Sequence, residues 1–155
     1  MAHLKRFLVV RLAGREFAIP AARICGMMQM RGLQMEPAQG LGAARYLASL
    51  HGRALPVYIP NQSLGLADRP VSARSCLLLI RGKASPSQGF DTDAHAADCA
   101  LVVDSISRLE DLPPNHCRPA ADGHGSGTSH VRLGEKWREV LDVEQLLQQP
   151  LNPTT

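Results

Sequence analysis

The sequence predicts an all-β fold in which two small barrels pack side by side, and three observations lead to this prediction. Roughly nine or ten short apolar runs are separated by turn residues about every 8–12 positions, which is typical of sandwiches and barrels. A single segment near the C-terminus has the pattern of a short helix. The runs are too short for one large barrel, so two small barrels are favoured.

The chain opens with a predicted hairpin. Residues 7–12 and 16–19 are two apolar runs separated by a turn at Gly14. Glycine accepts the positive φ of a tight turn, so we expect the two strands to pair antiparallel. Pro20 ends the second strand because it has no N–H to donate. Residues 24–30 predict a third strand.

The middle of the chain predicts a connection, a hairpin and a buried strand. Residues 36–42 are rich in Gly and Pro and predict a connection. Residues 46–50 and 54–59 flank a turn centred on Gly52. Residues 75–81, SCLLLIR, are apolar without alternation, which predicts a strand covered on both faces.

The second half predicts a long loop and two further strand pairs. Residues 82–98 are rich in Gly, Ser, Pro and Asp without periodicity, so we expect a flexible loop. Residues 99–104 and 106–112 predict one pair, and residues 131–133 and 140–143 predict the last one.

The C-terminal region predicts one short helix. Asp142 is placed to cap a helix over residues 143–149, and Pro150 ends it. We expect the folded domain to span residues 1–148 and residues 149–155 to form a disordered tail.

Composition is that of an ordinary globular domain. The 155 residues are 45% hydrophobic and 20% charged, enough for one domain or for two small lobes that share strands. The net charge of +3 comes from scattered Lys and Arg. Arg11 interrupts the apolar run after Lys5 and Arg6, so a strand is favoured over a signal sequence. No run approaches the roughly 20 apolar residues that span a bilayer, so we expect a cytoplasmic protein without direct membrane insertion.

The cysteines and histidines do not predict a metal or cofactor site. Cys25, Cys76, Cys99 and Cys117 have no CxxC spacing, so we expect buried, reduced thiols. A flexible loop could bring zinc ligands together, but their spacing matches no compact zinc pattern. The candidate ligands are His116, Cys117, His124 and His130.

A catalytic thiol is the enzyme alternative. It would pair Cys25, Cys99 or Cys117 with His51 or His116. Such a thiolate needs a base in contact and a pocket for substrate. Neighbours on an extended strand point to opposite faces, so the adjacent positions 116 and 117 do not predict that contact. We therefore expect no enzyme.

Nucleic-acid binding is a second alternative, in which the chain is a stand-alone β-barrel module that binds protein or, weakly, nucleic acid. The chain has 17 Lys and Arg but only six aromatic residues. Binders of single strands need exposed aromatic side chains for base stacking. Several of the six lie in or beside predicted strands, so we expect no nucleic-acid partner.

Methionines cluster at positions 27, 28, 30 and 35. Their adaptable side chains suit either a core or a surface that accepts a helix. The sequence leaves core filling and groove lining both open.

The order of these segments resembles the CheW family of bacterial chemosensory coupling proteins. The matching pieces span residues 7–147 and read FLVVRLAGREFAIP, RICGM, LHGRALPVYIP, LGL, CALVVDSISRLEDLPPNHCRP and VLDVEQLL. Each piece alone is merely β-rich, and the ordered set carries the resemblance.

The resemblance implies two five-stranded SH3-like barrels and no catalysis. Members of the family link the cytoplasmic tips of methyl-accepting chemoreceptors to the regulatory domain of the histidine kinase CheA. One barrel surface docks with that domain, and an apolar groove between the barrels takes the receptor's helical hairpin. Together with the methionine cluster, this makes Ile24, Met27, His51, Gly52, Leu101 and Val103 the expected partner-binding residues.

The sequence departs from the family in the length of the loop over residues 82–98, which is longer than the usual tight hairpin, and at three further points. His51 stands where the family has the arginine of its LRG turn, Tyr46 where it has a glycine, and Ile59-Pro60 where it has Asp-Leu. A neutral imidazole cannot supply the planar, charged donors of an arginine. We therefore expect a divergent or specialised coupling protein.

Overall fold

The computed structural model describes residues 4–38, 44–50, 52–61, 66, 74–81, 97–118, 129–141 and 143. Apart from a helical residue at Val143, the regular structure of this part consists of strands and two single 3-10 turns, Ala21–Arg23 and Pro114–His116. The twelve strands are β1 (Lys5–Leu12), β2 (Arg15–Pro20), β3 (Ile24–Gln29), β4 (Met35–Pro37), β5 (Tyr46–Leu50), β6 (Arg53–Tyr58), β7 (Cys76–Ile80), β8 (Cys99–Val103), β9 (Ser105–Leu112), β10 (Cys117–Arg118), β11 (His130–Leu133) and β12 (Lys136–Glu139). The all-β prediction is confirmed.

The first sheet has the strand order β2-β1-β9 and is wholly antiparallel. Leu12 pairs with Arg15, so Ala13 and Gly14 form a two-residue turn, with φ of 51° and 82°. Positive φ at both positions is what a type I′ hairpin turn requires. The Ala13 N–H donates to the Asp104 carboxylate at 2.8 Å, so the junction between β8 and β9 holds this turn in place.

The second sheet has six strands in the order β3-β7-β8-β6-β5-β4. Strands β6 and β8 run parallel, and the other neighbours are antiparallel. The prediction of a connection over residues 36–42 is wrong at its start, because Met35–Pro37 is a short strand that pairs with β5. Proline is tolerated there because β4 is the last strand of the sheet order, where a missing donor breaks no ladder.

The third sheet has the order β10-β11-β12. The strand predicted over residues 140–143 is wrong: β12 spans Lys136–Glu139, because Leu133 pairs with Lys136 across a two-residue turn at Gly134. Val140 forms an isolated bridge with Ala18, and the Leu141 N–H donates to the Ala18 carbonyl at 2.8 Å. These contacts join the third sheet to β2.

Three apolar clusters fill the described part of the structure. The central cluster lies between the first sheet and the β3-β7-β8 part of the second, and consists of Leu8, Val10, Leu12, Phe17, Ile19, Ile24, Leu78, Ile80, Cys99, Leu101, Val103, Leu141 and Val143. The distal cluster covers the other face of the six-stranded sheet, with Cys25, Met30, Ala48, Leu50, Leu55, Val57, Leu77, Leu79, Ala97, Ala100 and Val102. The proximal cluster lies between the first and third sheets, with Phe7, Val9, Ala18, Leu112, Val131 and Leu133.

Strand β7 alternates between two of these clusters. Leu78 and Ile80 enter the central cluster, and Leu77 and Leu79 enter the distal one. The prediction that this apolar run is covered on both faces is confirmed, since a strand with apolar residues on both faces has to bury both.

The expected closure into two five-stranded barrels is not confirmed, because the described strands form open sheets. Most of the predicted loop 82–98, the helix beyond Val143 and the tail 149–155 lie outside the described residues, and Val143 itself is helical. Across the described residues, no helix combines the length and the apolar character needed to cross a membrane.

Candidate protein-docking site

Strand β3 carries two of the expected partner-binding residues, of which one is buried and the other is exposed. Ile24 pairs with Ile80 and Gly26 pairs with Leu79, so Cys25 is the extra residue of a bulge. After the bulge, Met27 pairs with Leu78 and shares its face of the sheet. Ile24 is 0% exposed in the central cluster, whereas Met27 is 42% exposed. Met27 is therefore the apolar residue that β3 offers to a partner.

Gly26 follows the bulge and has a close neighbour. A Cβ added at Gly26 would lie 2.8 Å from Leu79 Cδ1, closer than real Cβ contacts come. The absence of a side chain at Gly26 therefore leaves room for the Leu79 side chain.

The other methionines answer the question that the sequence left open. Met30 is buried in the distal cluster, and Met28 and Met35 are partly buried against it. Core filling thus accounts for these three, and only Met27 of the group is exposed.

Gly52 forms the turn between β5 and β6. Leu50 pairs with Arg53, and Gly52 lies in the tight turn between them with a φ of 76°. Its surroundings leave space for a Cβ, so the left-handed backbone is what favours glycine here. The predicted hairpin is confirmed, with Gly52 exposed at its tip. His51, the expected partner residue beside it, lies outside the described residues.

Leu101 and Val103 lie on β8, between β7 and β6 in the sheet. They are 2% and 0% exposed and belong, with Ile24, to the central cluster. The structure therefore brings these three expected site residues together, but as core. A side chain without exposed surface does not contact a partner in this conformation, so what these residues supply is the packing beneath the surface.

The surroundings of Cys25, Cys99 and Cys117 favour the thiol over the thiolate. Burial, reinforced by the charge of Asp98, raises the pKa of Cys99 to about 12. The Cys25 thiol donates to the Leu79 carbonyl at 3.5 Å. Burial also raises the pKa of Cys117, whose thiol donates to the Pro113 carbonyl at 3.6 Å. These surroundings oppose the thiolate that nucleophilic catalysis needs.

The candidate zinc ligands are only partly within the described residues. His116 ends a 3-10 turn, Cys117 begins β10 and His130 begins β11. His124 lies outside. Among the residues that the structure does describe, no group of three or more His, Cys, Asp or Glu side chains is placed to hold a metal ion.

Sequence reasoning missed a charged cluster at one end of the first sheet. Glu16 accepts an ion pair from Arg108 at 3.1 Å and lies 3.8 Å from an Arg11 nitrogen and 3.9 Å from the Arg138 Nε. The predicted hairpin at Gly14 already implies that Arg11 lies opposite Glu16. The contributions of β9 and β12 follow only from the tertiary arrangement.

It also missed the exposed leucine of β9. Leu109 pairs with the buried Leu8, yet it is 47% exposed because β9 is at the end of its sheet's strand order. Alternation in the sequence predicts the face of such a residue, but not whether another strand covers it.

Comparison with known proteins connects this arrangement to one family. The CheW-like domain matches residues 6–151. Among solved structures, the chain is similar to the scaffolding protein TtCheW from Thermoanaerobacter tengcongensis, with a TM-score of 0.71 over 96% of this chain and 94% of that one. The sequence identity is 14%, so this likeness shows the fold alone. No curated protein matches the sequence. With the family match covering nearly its whole length, the chain belongs to the CheW-like domain family.

Proposed function

We propose that this protein is a non-catalytic adaptor that couples the cytoplasmic tips of chemoreceptors to a CheA-type histidine kinase in a bacterial chemosensory array. The observation that carries the proposal is the family match over residues 6–151. The likeness to a scaffolding protein over nearly the full length of both chains supports it. The neutral, buried surroundings of Cys99 and Cys25 favour a binding role over thiol catalysis.

Such an adaptor couples its two partners by holding them in fixed positions and not by a chemical reaction. The protein holds a kinase domain and a receptor tip at two surfaces, and a signal passes as a coupling free energy between them. Binding of either partner then changes the affinity for the other by the same factor. We expect each contact to be weak and to gain avidity when several assemble in one array.

We propose Met27 as an apolar anchor of one docking surface. It is a large, flexible side chain that is 42% exposed on β3, the strand at the opposite end of the six-stranded sheet from β4. Anchors of this kind carry most of the energy of a small interface when a partner covers them. The exposed turn at Gly52 is a second proposed contact, and His51 stays a prediction there.

Ile24, Leu101 and Val103 have a supporting role in this proposal. Their packing in the central cluster fixes the sheet on which Met27 is presented. The two barrels implied by the resemblance also stay a prediction, in which the first and third sheets contribute to one lobe and the six-stranded sheet to the other.

Co-sedimentation of the full chain with a CheA-type kinase and a receptor cytoplasmic fragment tests the adaptor role. We expect the chain to join a complex with both proteins, and a Met27→Asp variant to bind at least one of them about tenfold more weakly. Leu4→Asp is the matched control, since Leu4 is also exposed, at 58%, but lies outside the strands. If the unaltered chain binds neither protein, the adaptor proposal is wrong.

The Ile24→Asp variant distinguishes a direct contact of Ile24 with a partner from a role of Ile24 in core packing. A charge placed at a position with 0% exposure should unfold the protein and abolish all binding together. A folded Ile24→Asp variant that loses only receptor binding would instead make Ile24 a direct contact.

A further inference from the structure

We propose that β9 is a self-pairing edge, through which two copies of this chain form an antiparallel, two-fold symmetric dimer centred on Leu109. This interaction goes beyond the adaptor role, because its occupant is a second copy rather than a kinase or a receptor.

The first argument is that β9 presents an edge of useful length. It is eight residues long and pairs with β1 on one side. Within the described residues no strand pairs with its other side. Ser107, Arg108 and Leu109 are consecutive exposed residues on it. An exposed strand edge is a ready template for pairing with another chain.

The second argument is the symmetry of its side chains about Leu109. In an antiparallel pair with Leu109 opposite its own copy, Arg108 lies opposite Glu110 of the second chain, and Glu110 lies opposite its Arg108. The same register places Ser107 opposite Asp111. Opposite charges that face each other across strands are stabilising, and like charges are destabilising. The two-fold operation repeats the Arg–Glu contact on both sides of the central leucines.

The charges also select this register over its neighbours. With the axis moved to residue 108, Arg108 would face its own copy. With the axis moved to residue 110, Glu110 would face its own copy. Both shifts place like charges directly opposite each other, so the centre at Leu109 is favoured.

The third argument is that Arg108 and Glu110 each retain a hydrogen-bonding atom that a second chain can use. Arg108 donates from Nε to Glu110 at 2.8 Å, and from Nη1 to Glu16 and to Ser107, each at 3.1 Å. Its Nη2 has no partner among the described residues, and a guanidinium has five donors in all. Glu110 uses only Oε1 in the bond from Arg108. A second copy can therefore be bound without breaking the pairs within one chain.

The apolar contribution comes from Leu109. At 47% exposure it is one of the most exposed large hydrophobic residues of the described chain. In the dimer, two such leucines would cover each other at the axis. Because a single pair of edge strands buries less area than a standard interface, the dimer should be weak and concentration-dependent.

Sedimentation velocity of the full chain, from about 5 to 500 μM, tests the proposal. We expect the weight-average mass to rise toward that of a dimer over this range. Leu109→Asp should weaken self-association about tenfold or more, and Leu4→Asp should leave it unchanged. A chain that stays monomeric throughout, or a Leu109→Asp variant that associates like the unaltered chain, overturns the proposal.

A charge-exchange experiment tests the register itself. Glu110→Arg makes both flanking positions basic, and Arg108→Glu makes both acidic, so each variant alone should associate about tenfold more weakly. An equimolar mixture should regain association, because each Arg then faces a Glu of the other variant. Failure of the mixture to regain it, with both variants folded by circular dichroism, rejects the register.

A disulfide trap covers the case in which a charge variant does not fold. Leu109→Cys places two thiols directly opposite each other, within the range that a disulfide spans. Under mild oxidation it should form covalent dimers much faster than Leu4→Cys, and equal rates would contradict pairing at β9. None of these experiments involves the kinase or the receptor, so their outcome leaves the adaptor proposal to its own test.

Discussion

Strands β8 and β9 follow each other with only Asp104 between them, yet they have opposite surroundings. All five residues of β8 are buried, because the strand lies between β7 and β6 with a cluster on each face. Strand β9 ends its sheet's strand order and exposes most of its middle. The pair shows that the burial of a strand depends on its position in a sheet and not on its position in the sequence.

This difference also changes how the resemblance to the family is used. Val102 and Val103 of the VVD segment, one of the pieces that carry the resemblance, are core residues of β8, and Asp104 lies partly buried just after the strand. The exposed apolar positions, Met27 and Leu109, lie in strands at the ends of the strand orders of two sheets. The resemblance alone therefore does not separate the buried apolar positions of β8 from the exposed positions that we propose as contacts.

The largest expected effect on the free energy of unfolding is the difference between a Leu→Ala substitution on β8 and one on β9. Leu101→Ala on β8 should lower the free energy of unfolding by about 2–5 kcal/mol, because it removes a buried side chain and leaves a cavity. Leu109→Ala on β9 should change it by less than about 0.5 kcal/mol. Urea unfolding at low protein concentration measures both. Similar losses for the two variants would contradict the contrast between the strands.

The next effect is a dependence of the free energy of unfolding on pH, which arises from the buried Cys99 of β8. Because the pKa of Cys99 is raised to about 12 in the fold, the thiol stays neutral there while the unfolded chain ionises above about 8.5. The contribution of the Cys99 thiol to the free energy of unfolding is therefore fully present below about pH 8.5. Above that pH the contribution falls by up to about 1.4 kcal/mol per pH unit.

Urea unfolding of Cys99→Ala at pH 8 and pH 10.5 isolates this contribution. The variant should lose about 2–3 kcal/mol less than the unaltered chain between the two pH values. Other groups that titrate in this range remain in both proteins and cancel. Equal losses would show that Cys99 titrates normally.

The smallest effect concerns the residue that divides the two strands. Asp104→Ala removes the acceptor of the Ala13 N–H and should cost about 1–2 kcal/mol of unfolding free energy. Asp104→Asn keeps an acceptor oxygen and should cost less. Urea unfolding compares the two variants. If both leave stability unchanged, the bond at 2.8 Å does not fix the junction of β8 and β9.

Much of the local structure could be predicted from single residues. Gly14 and Gly52 mark hairpin turns that require a positive φ, and both turns are found. The apolar run of β7 predicted a strand covered on both faces. Strands are found where residues 99–104 and 106–112 predict them, but β8 and β9 belong to different sheets, and Asp104 lies at the bend between them.

Other features could not be predicted because they depend on distant partners. The short strand Met35–Pro37 exists because β5 pairs with it, and nothing within its three residues indicates that. The parallel pairing of β6 with β8 joins segments about 40 residues apart. Ile24 and Met27 are both apolar residues of one predicted strand, and only their pairing with β7 after a bulge separates core from surface.

By itself, the sequence determined the all-β class, the hairpin turns and the family, because these depend on periodicity, on backbone conformations that favour glycine, and on the order of segments. The tertiary structure alone decided which strands end their sheets and which apolar residues reach solvent. The physical reason is that alternation along a strand specifies only the two faces of a sheet. The burial of each face and each edge depends on which other parts of the chain cover it.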